Sequence, residues 1–206
     1  MLLGDFIFDK AAYVTARAPD VVRQVRQRLP SGSVATLAAV DESKTRDMRE
    51  QPLRLPADAT HLVVSVGSND ALGSSDFLAA PAHSTAEAHL GLADIGEDFE
   101  PGYLAMLAGM LVRGLPTAIC TVYYPRFPEA ALQRMGVTAL TVFNDCIIRA
   151  AFAQGLPLLD LRLICTEEGD YANPIEPSVR GGEKIARAIV EAVEHGFVEG
   201  RTQVFI

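Results

Sequence analysis

The sequence predicts a single α/β domain: a mostly parallel sheet covered by helices on both faces. Three observations predict it. Short, continuous apolar runs recur at wide intervals, as expected of strands buried on both faces. Amphipathic or Ala-rich helical stretches lie between them, giving a β-α-β-α alternation. The chain has 206 residues, about half of them apolar, enough for one sizeable core without metals or disulfides.

The elements follow in order. Met1–Gly4 reads as a first strand, ending on a Gly-Asp turn. Pro19 and Asp20 open a helix to about Arg28, and Pro30 stops it. Val34–Val40 and His61–Val66 read as the second and third strands. The segment Ala71–Glu100, rich in Ala, Ser, Gly and Asp, reads as a short helix and a long loop over the sheet edge. A helix is expected from Pro101 to Val112, ended by Gly114 and Pro116. Thr117–Tyr123 is the fourth strand, and Ala139–Gln154 a helix closed by Gly155 and Pro157. Leu158–Leu163 is the fifth strand, and Gly182–His195 the last helix. The tail from Val198 to Ile206 either adds a strand or packs across the domain. No linker or repeat divides residues 1–206, so one domain is expected.

Charge and composition exclude several functions. Eighteen Lys+Arg against 26 Asp+Glu give a net charge of −8, which argues against a nucleic-acid partner. Arg23, Arg26 and Arg28 have helical spacing and read as a solvated face. Cys120, Cys146 and Cys165 each sit in an apolar run with no Cys-x-x-Cys spacing, so buried thiols are expected, not a disulfide framework or a zinc site. No basic start leads into a long apolar region, and no uninterrupted apolar run spans a bilayer. The expectation is a cytoplasmic protein without a membrane partner, with an upstream segment left open. The sequence leaves the oligomeric state undetermined.

In open α/β sheets, ligands bind beyond the carboxyl ends of the strands. The residues there are Asp5-Phe6, Asp41-Glu42-Ser43, Gly67-Ser68-Asn69-Asp70 and the loop Thr166–Ser178. Together with Phe143-Asn144-Asp145 and the run Pro177-Ser178-Val179-Arg180-Gly181-Gly182, this ordered set resembles the SGNH hydrolases, the GDSL-type esterases and lipases. The resemblance covers nearly the whole chain and implies a three-layer, flavodoxin-like fold. It also implies hydrolysis of a small ester or acyl substrate, with no cofactor and no metal.

The chemistry that the resemblance implies needs a serine after Gly-Asp, oxyanion donors from the second block and from the Asn of the third, and an Asp-x-x-His base. This chain places Phe6 at the serine, and Asn173 and Glu176 at the Asp and His. Glu42 stands where a small Gly is expected. A shifted alignment instead puts Asp170 and Asn173 in the last two roles. Asn69 keeps the oxyanion position, with Asp5, Gly67 and Asp70 beside it in the cleft. A glutamate's unperturbed pKa, about 4.3, makes it a poor base at neutral pH unless burial raises it. His61 and His195 read as structural, and His83 and His89 as solvated loop residues.

Each residue also has a structural role open to it. Asp5 and Asn69-Asp70 suit caps, Phe6 suits core, and Asn144-Asp145 suits a helix start. One further constellation stands out. Asp5, Glu42, Asp70, Glu176 and Asp9 are expected to converge on one cleft, either around a hard cation or with Lys10 as counter-charge. Two functional classes stay open: a hydrolase with a degenerate catalytic set, and a non-catalytic protein that keeps the cleft for binding.

Overall fold

The structure is a computed structural model, and it describes residues 1–9, 19–198 and 200–206. In chain order the strands are β1 (Leu2–Gly4), β2 (Leu62–Ser65), β3 (Thr117–Cys120), β4 (Leu158–Leu159), β5 (Tyr171–Asn173), β6 (Glu176–Pro177) and β7 (Val204–Phe205). The α-helices are α1 (Val21–Arg28), α2 (Ser68–Gly73), α3 (Thr85–Leu111), α4 (Ala130–Gln154), α5 (Leu161–Ile164) and α6 (Val179–His195). Short 3-10 stretches cover Thr45–Arg54, Ser75–Ala79 and Glu168–Asp170.

The main sheet runs β1-β2-β3-β4-β7, every neighbour parallel, and β5 with β6 forms a separate antiparallel pair. Side chains alternate across the parallel strands, because successive residues point to opposite faces. Leu2, Val63, Ala118 and Leu159 join one core with Val21, Val22 and Val25 of α1 and Ile185 and Ile189 of α6. Leu3, Val64, Ile119 and Leu158 join the other with Tyr103, Leu107 and Met110 of α3 and Phe143 and Ile147 of α4. Two buried faces explain why the strands read as continuous apolar runs.

Several boundaries differ from those the sequence predicts. Val34–Val40 is not a full strand. Its backbone lies along β1, with Leu2 N donating to Thr36 O at 2.8 Å and Ala38 N to Leu2 O at 2.8 Å, but only Leu37 bridges to Leu2. The ladder is short because β1 itself is three residues long. The fourth strand stops at Cys120. The fifth stops at Leu159, where the Asp160 carboxylate accepts from Arg162 N and opens α5. The tail does add a strand, β7.

The helix expected from Pro101 begins sixteen residues earlier, at Thr85. Ser84 Oγ accepts from Glu87 N at 3.1 Å, and Glu87 Oε2 accepts from His83 N at 2.6 Å, a reciprocal cap. Pro101 sits inside α3 and forfeits one backbone bond there. Burial of Phe99, Tyr103, Met106, Leu107 and Met110 along one side offsets that loss. The first half of α3 is mostly exposed, so it shows no apolar stripe, and the sequence reading took it for loop.

α4 likewise starts early, where Glu129 accepts from Ala131 N and Leu132 N. Phe143-Asn144-Asp145 therefore lies in mid-helix and does not open it. α4, though interrupted by Arg134, Asp145 and Arg149, is long and apolar enough to cross a membrane by length and composition alone. Here it packs on α3 and the sheet, burying Phe143, Cys146, Ile147 and Ala150. α6 begins at Val179, three residues before Gly182, with Ser178 Oγ accepting from Gly181 N.

Candidate functional site

β1, β2 and β3 run parallel, so the residues that follow them meet at one edge. β1 ends at Gly4, whose φ of 134° and position against Ser65 O, 1.7 Å from where a Cβ would stand, admit only glycine. Gln51 holds this turn: Gly4 N donates to Gln51 Oε1 and Gln51 Nε2 donates to Gly4 O, both at 2.8 Å. The turn buries Asp5 completely and sets the Phe6 ring, 6% exposed, into a pocket wall.

That pocket has a volume of about 90 Å³. Its wall is apolar: Phe6, Leu72, Phe77, Leu78, Val122, Phe127, Phe143 and Ile175 line it, with Ser68, Ser74, Ser75 and Tyr123 supplying hydroxyl-bearing residues. A shallower groove of about 400 Å³ adjoins it, sharing Phe77, Leu78, Leu92 and Ala139 and reaching Met135 on α4. Among the described residues no charged side chain lines the pocket, and none of the four histidines does. His83, His89 and His195 are exposed, and His61 stacks edge-on against Phe197.

Asp5 is the most perturbed carboxyl at the site. Burial pushes its pKa up to about 7, and the charge of Asp70 adds to the rise. The Ile7 N–H, donating to Oδ1 at 3.2 Å, and the neighbouring Ser68 hold it down. Ser68 is close enough to affect Asp5, yet neither Ser68 Oγ nor Asp5 Oδ2 makes a hydrogen bond of good geometry.

The second and third blocks are tied to each other. Asn69 Nδ2 donates to Ser43 O at 3.1 Å, and Asp70 Oδ2 accepts from both Thr45 N and Thr45 Oγ1 at 2.9 Å. One Asn69 N–H thus serves the loop, leaving one further donor on the same amide. Gly67, with φ of 122°, starts α2. Glu42 is exposed and holds φ of 62°, the left-handed conformation that glycine adopts without strain.

The loop that carries the expected base folds into the β5–β6 hairpin. Asn173 Oδ1 accepts from Ile175 N and Glu176 N at 3.0 Å, and Asn173 Nδ2 donates to Glu176 Oε2 at 2.8 Å. Asn173 and Glu176 are therefore joined, but as a turn clasp, and it is Ile175 between them that reaches the pocket. Tyr123 Oη donates to Ile175 O at 2.7 Å and anchors the hairpin to the end of β3. Asp170, the alternative orienter, is fully buried and held by Lys184 Nζ at 2.7 Å, with Arg180 Nε at 3.5 Å.

The five carboxylates do not gather. Asp5 is interior, Glu42 faces solvent, Asp70 is bound to Thr45, Asp9 Oδ2 accepts from Asp41 N at 3.2 Å, and Glu176 is clasped by Asn173. Among the described residues, no three His, Cys, Asp or Glu side chains are grouped to hold a metal ion. Asp5, Asp9 and Asp70 each accept from a backbone N–H, Asp70 also from the Thr45 hydroxyl, and Glu176 accepts from the Asn173 carboxamide. Lys10, the suggested counter-charge, lies outside the described residues.

Sequence reasoning missed two parts of the site. Phe77 and Leu78 come from the segment read as a short helix and a long loop. Gln51 is a buried carboxamide that grips backbone at a strand end, and only its buried-polar context identifies it, whereas Asn144, named in the sequence as part of a motif, grips Val122 in the same way.

No protein-family model and no curated protein matches the sequence. The fold does match solved structures over nearly the whole chain. A lipase/acylhydrolase from Enterococcus faecalis is 19% identical, with a TM-score of 0.67 and 94% of each chain covered. A member of the lipolytic protein G-D-S-L family from Veillonella parvula is 12% identical, with a TM-score of 0.66 over 95% of this chain and 97% of that one. The aryl esterase of M. smegmatis is 13% identical, with a TM-score of 0.66 over 96% and 99%. The chain therefore has the three-layer α/β fold of the SGNH, or GDSL-type, lipolytic hydrolases.

Proposed function

We propose that this chain is a divergent SGNH-type protein that binds a small ester or acyl group in the pocket at the carboxyl edge, with little or no serine-type hydrolysis. The observation that carries this reading is Phe6. The turn after β1 delivers an aromatic ring, with no nucleophile, to a pocket that no histidine lines. Serine-type acyl transfer needs a hydroxyl, a base in hydrogen-bond reach and an orienter for that base. A positioned base alone is worth roughly 10²–10⁴-fold. Here the residues at the base and orienter positions are spent on a turn clasp.

The wall supports binding. A concave apolar site with a few hydroxyls is the usual form of a small-molecule pocket. Its aromatic rings and methyl groups suit an acyl chain or an aryl group, each buried Å² contributing about 25 cal/mol.

Displacement of a neutral polarity-sensitive dye such as Nile red by ethyl hexanoate tests the reading. The ester is expected to displace the dye saturably. Ala139→Trp, which fills the pocket from α4, is expected to abolish displacement while leaving thermal unfolding close to the parent. Displacement that Ala139→Trp leaves unchanged, or no displacement at all, overturns the assignment of this pocket.

A further inference from the structure

We infer that Ser68 and Asp5 form a head-group site at the inner end of this pocket, which receives an uncharged hydroxyl, so that among the ester and acyl ligands of the pocket those bearing a free hydroxyl are preferred. The inference rests on the pocket assignment made above and names what lies at its polar end.

Two independent observations lead there. First, Asp5 Oδ2 and Ser68 Oγ are both buried without a well-formed hydrogen bond, in side chains 0% and 5% exposed. An unsatisfied buried polar atom costs roughly 1–3 kcal/mol, so two neighbouring ones mark a place where a partner is due. Second, Ser68 stands in the pocket wall beside Phe6, so a partner arriving through the pocket meets it first.

Charge selects the class of head. Among the described residues no Lys, Arg or His lines the pocket. An anionic head would enter beside Asp5 and Asp70 with no cation to meet it, in a chain of net charge −8. A cation would lose its hydration to an apolar wall. An uncharged hydroxyl both donates and accepts: it gives its proton to Asp5 Oδ2 and takes one from Ser68 Oγ, satisfying both atoms at once. The raised pKa of Asp5 is consistent, because such a carboxyl pairs with a neutral group in either protonation state. Asp70, Cys120 and Tyr123 are the other titratable groups coupled to Asp5, and none is a cation.

The test compares three probes of matched length by isothermal calorimetry at pH 8: 1-octanol, heptyl methyl ether and octanoate. Octanol is expected to bind about 3–10-fold more tightly than the ether, the range of one net hydrogen bond. Octanoate is expected to bind at least about tenfold more weakly than octanol, for want of a counter-charge. Ser68→Ala removes a donor that both oxygens can use, so it is expected to weaken octanol and ether alike and to keep their difference. Asp5→Asn, nearly isosteric, is expected to reduce the difference without abolishing it. Equal binding of octanol and ether overturns the head-group site and leaves the pocket standing, with water satisfying the two atoms. Octanoate binding as well as octanol overturns the uncharged-head assignment. If neither octanol nor ether binds, the pocket reading itself falls, and this inference with it.

Discussion

Asn144 grips the backbone of Val122 from both sides. Val122 N donates to Asn144 Oδ1 at 2.8 Å, and Asn144 Nδ2 donates to Val122 O at 2.9 Å. The fully buried carboxamide does what a neighbouring strand would do, two residues past the end of β3. Gln51 does the same for Gly4 at the end of β1. Two strand ends at the functional edge are thus held by side chains from other elements, which sets the backbone of Phe6 and Tyr123 on either side of the pocket.

The first prediction follows from that clamp. Asn144→Leu strands a buried N–H and a buried C=O, so it should cost about 2–4 kcal/mol in chemical denaturation. Asp145→Ala, one residue on, loses only the exposed pair with Arg149 and should cost less than about 1 kcal/mol. Equal effects would show that the Asn144 clamp contributes nothing beyond helix packing.

The second prediction concerns pH. Asp5 has its folded pKa raised from 3.8 to about 7, so the folded state binds the extra proton between those values. Its contribution therefore favours folding at low pH and is lost as pH rises through about 7, on the order of 4 kcal/mol in full. Asp5→Asn should remove this slope, so the variant gains stability relative to the parent from pH 5 to pH 8. Asp160, Asp170 and Glu167 act in the opposite sense. For Asp160 and Asp170, burial raises the pKa, but hydrogen bonds from Arg162 and Thr121, or from Lys184, outweigh it. Hydrogen bonds from Arg180 and Lys184 lower that of Glu167. These contributions are present above the ordinary carboxylate range and vanish as pH falls below it. A parent-minus-variant difference that is flat between pH 5 and pH 8 would contradict the Asp5 assignment.

The third prediction concerns the ion pair behind the hairpin. Lys184→Met leaves buried Asp170 with the Glu167 N–H and the longer Arg180 contact but without its close cation. A fully buried pair broken on one side costs roughly 3–5 kcal/mol; Lys184 is partly exposed, so about 2 kcal/mol is expected. The double change Asp170→Leu/Lys184→Met should recover much of that loss. No recovery would assign Asp170 a role other than the pair.

The fourth prediction asks whether the site is one residue from activity. Phe6→Ser supplies a hydroxyl, but no histidine stands by to activate it, and an unactivated hydroxyl is a weak nucleophile at neutral pH. Aryl-ester hydrolysis by Phe6→Ser should stay near the parent rate. Robust activity that vanishes in Phe6→Ser/Glu176→Ala would make Glu176 the base and overturn the non-catalytic reading.

Much of the fold was legible because both sheet faces are buried. The runs around Leu2–Leu3, Val63–Val64, Ala118–Ile119 and Leu158–Leu159 are apolar at every position for that reason. The first half of α3 was not legible, since exposed helix leaves no apolar stripe, though Ser84 and Glu87 carried its cap in plain sight. Pro101 pointed to a helix start because a proline favours the first turn, and the buried face around Tyr103 overrode that preference. At the site, the turn after β1 and the Gly67–Asp70 segment were legible as edge residues. The expected gathering of carboxylates was not found, because backbone, hydroxyl and carboxamide donors satisfy acidic groups at less cost than mutual approach does. Ser68 attracted little notice in the sequence, since its unsatisfied hydroxyl is a property of packing.

The central claim is that the pocket holds an acyl compound without cleaving it. The most direct measurement exposes the protein to p-nitrophenyl hexanoate, following saturable dye displacement and p-nitrophenolate release in the same sample, with a fluorophosphonate probe in parallel. The account predicts saturable displacement, release close to the protein-free rate and no adduct on Ser68, Ser74 or Ser75. Catalytic release, with an adduct mapped to any serine of the pocket, would contradict it.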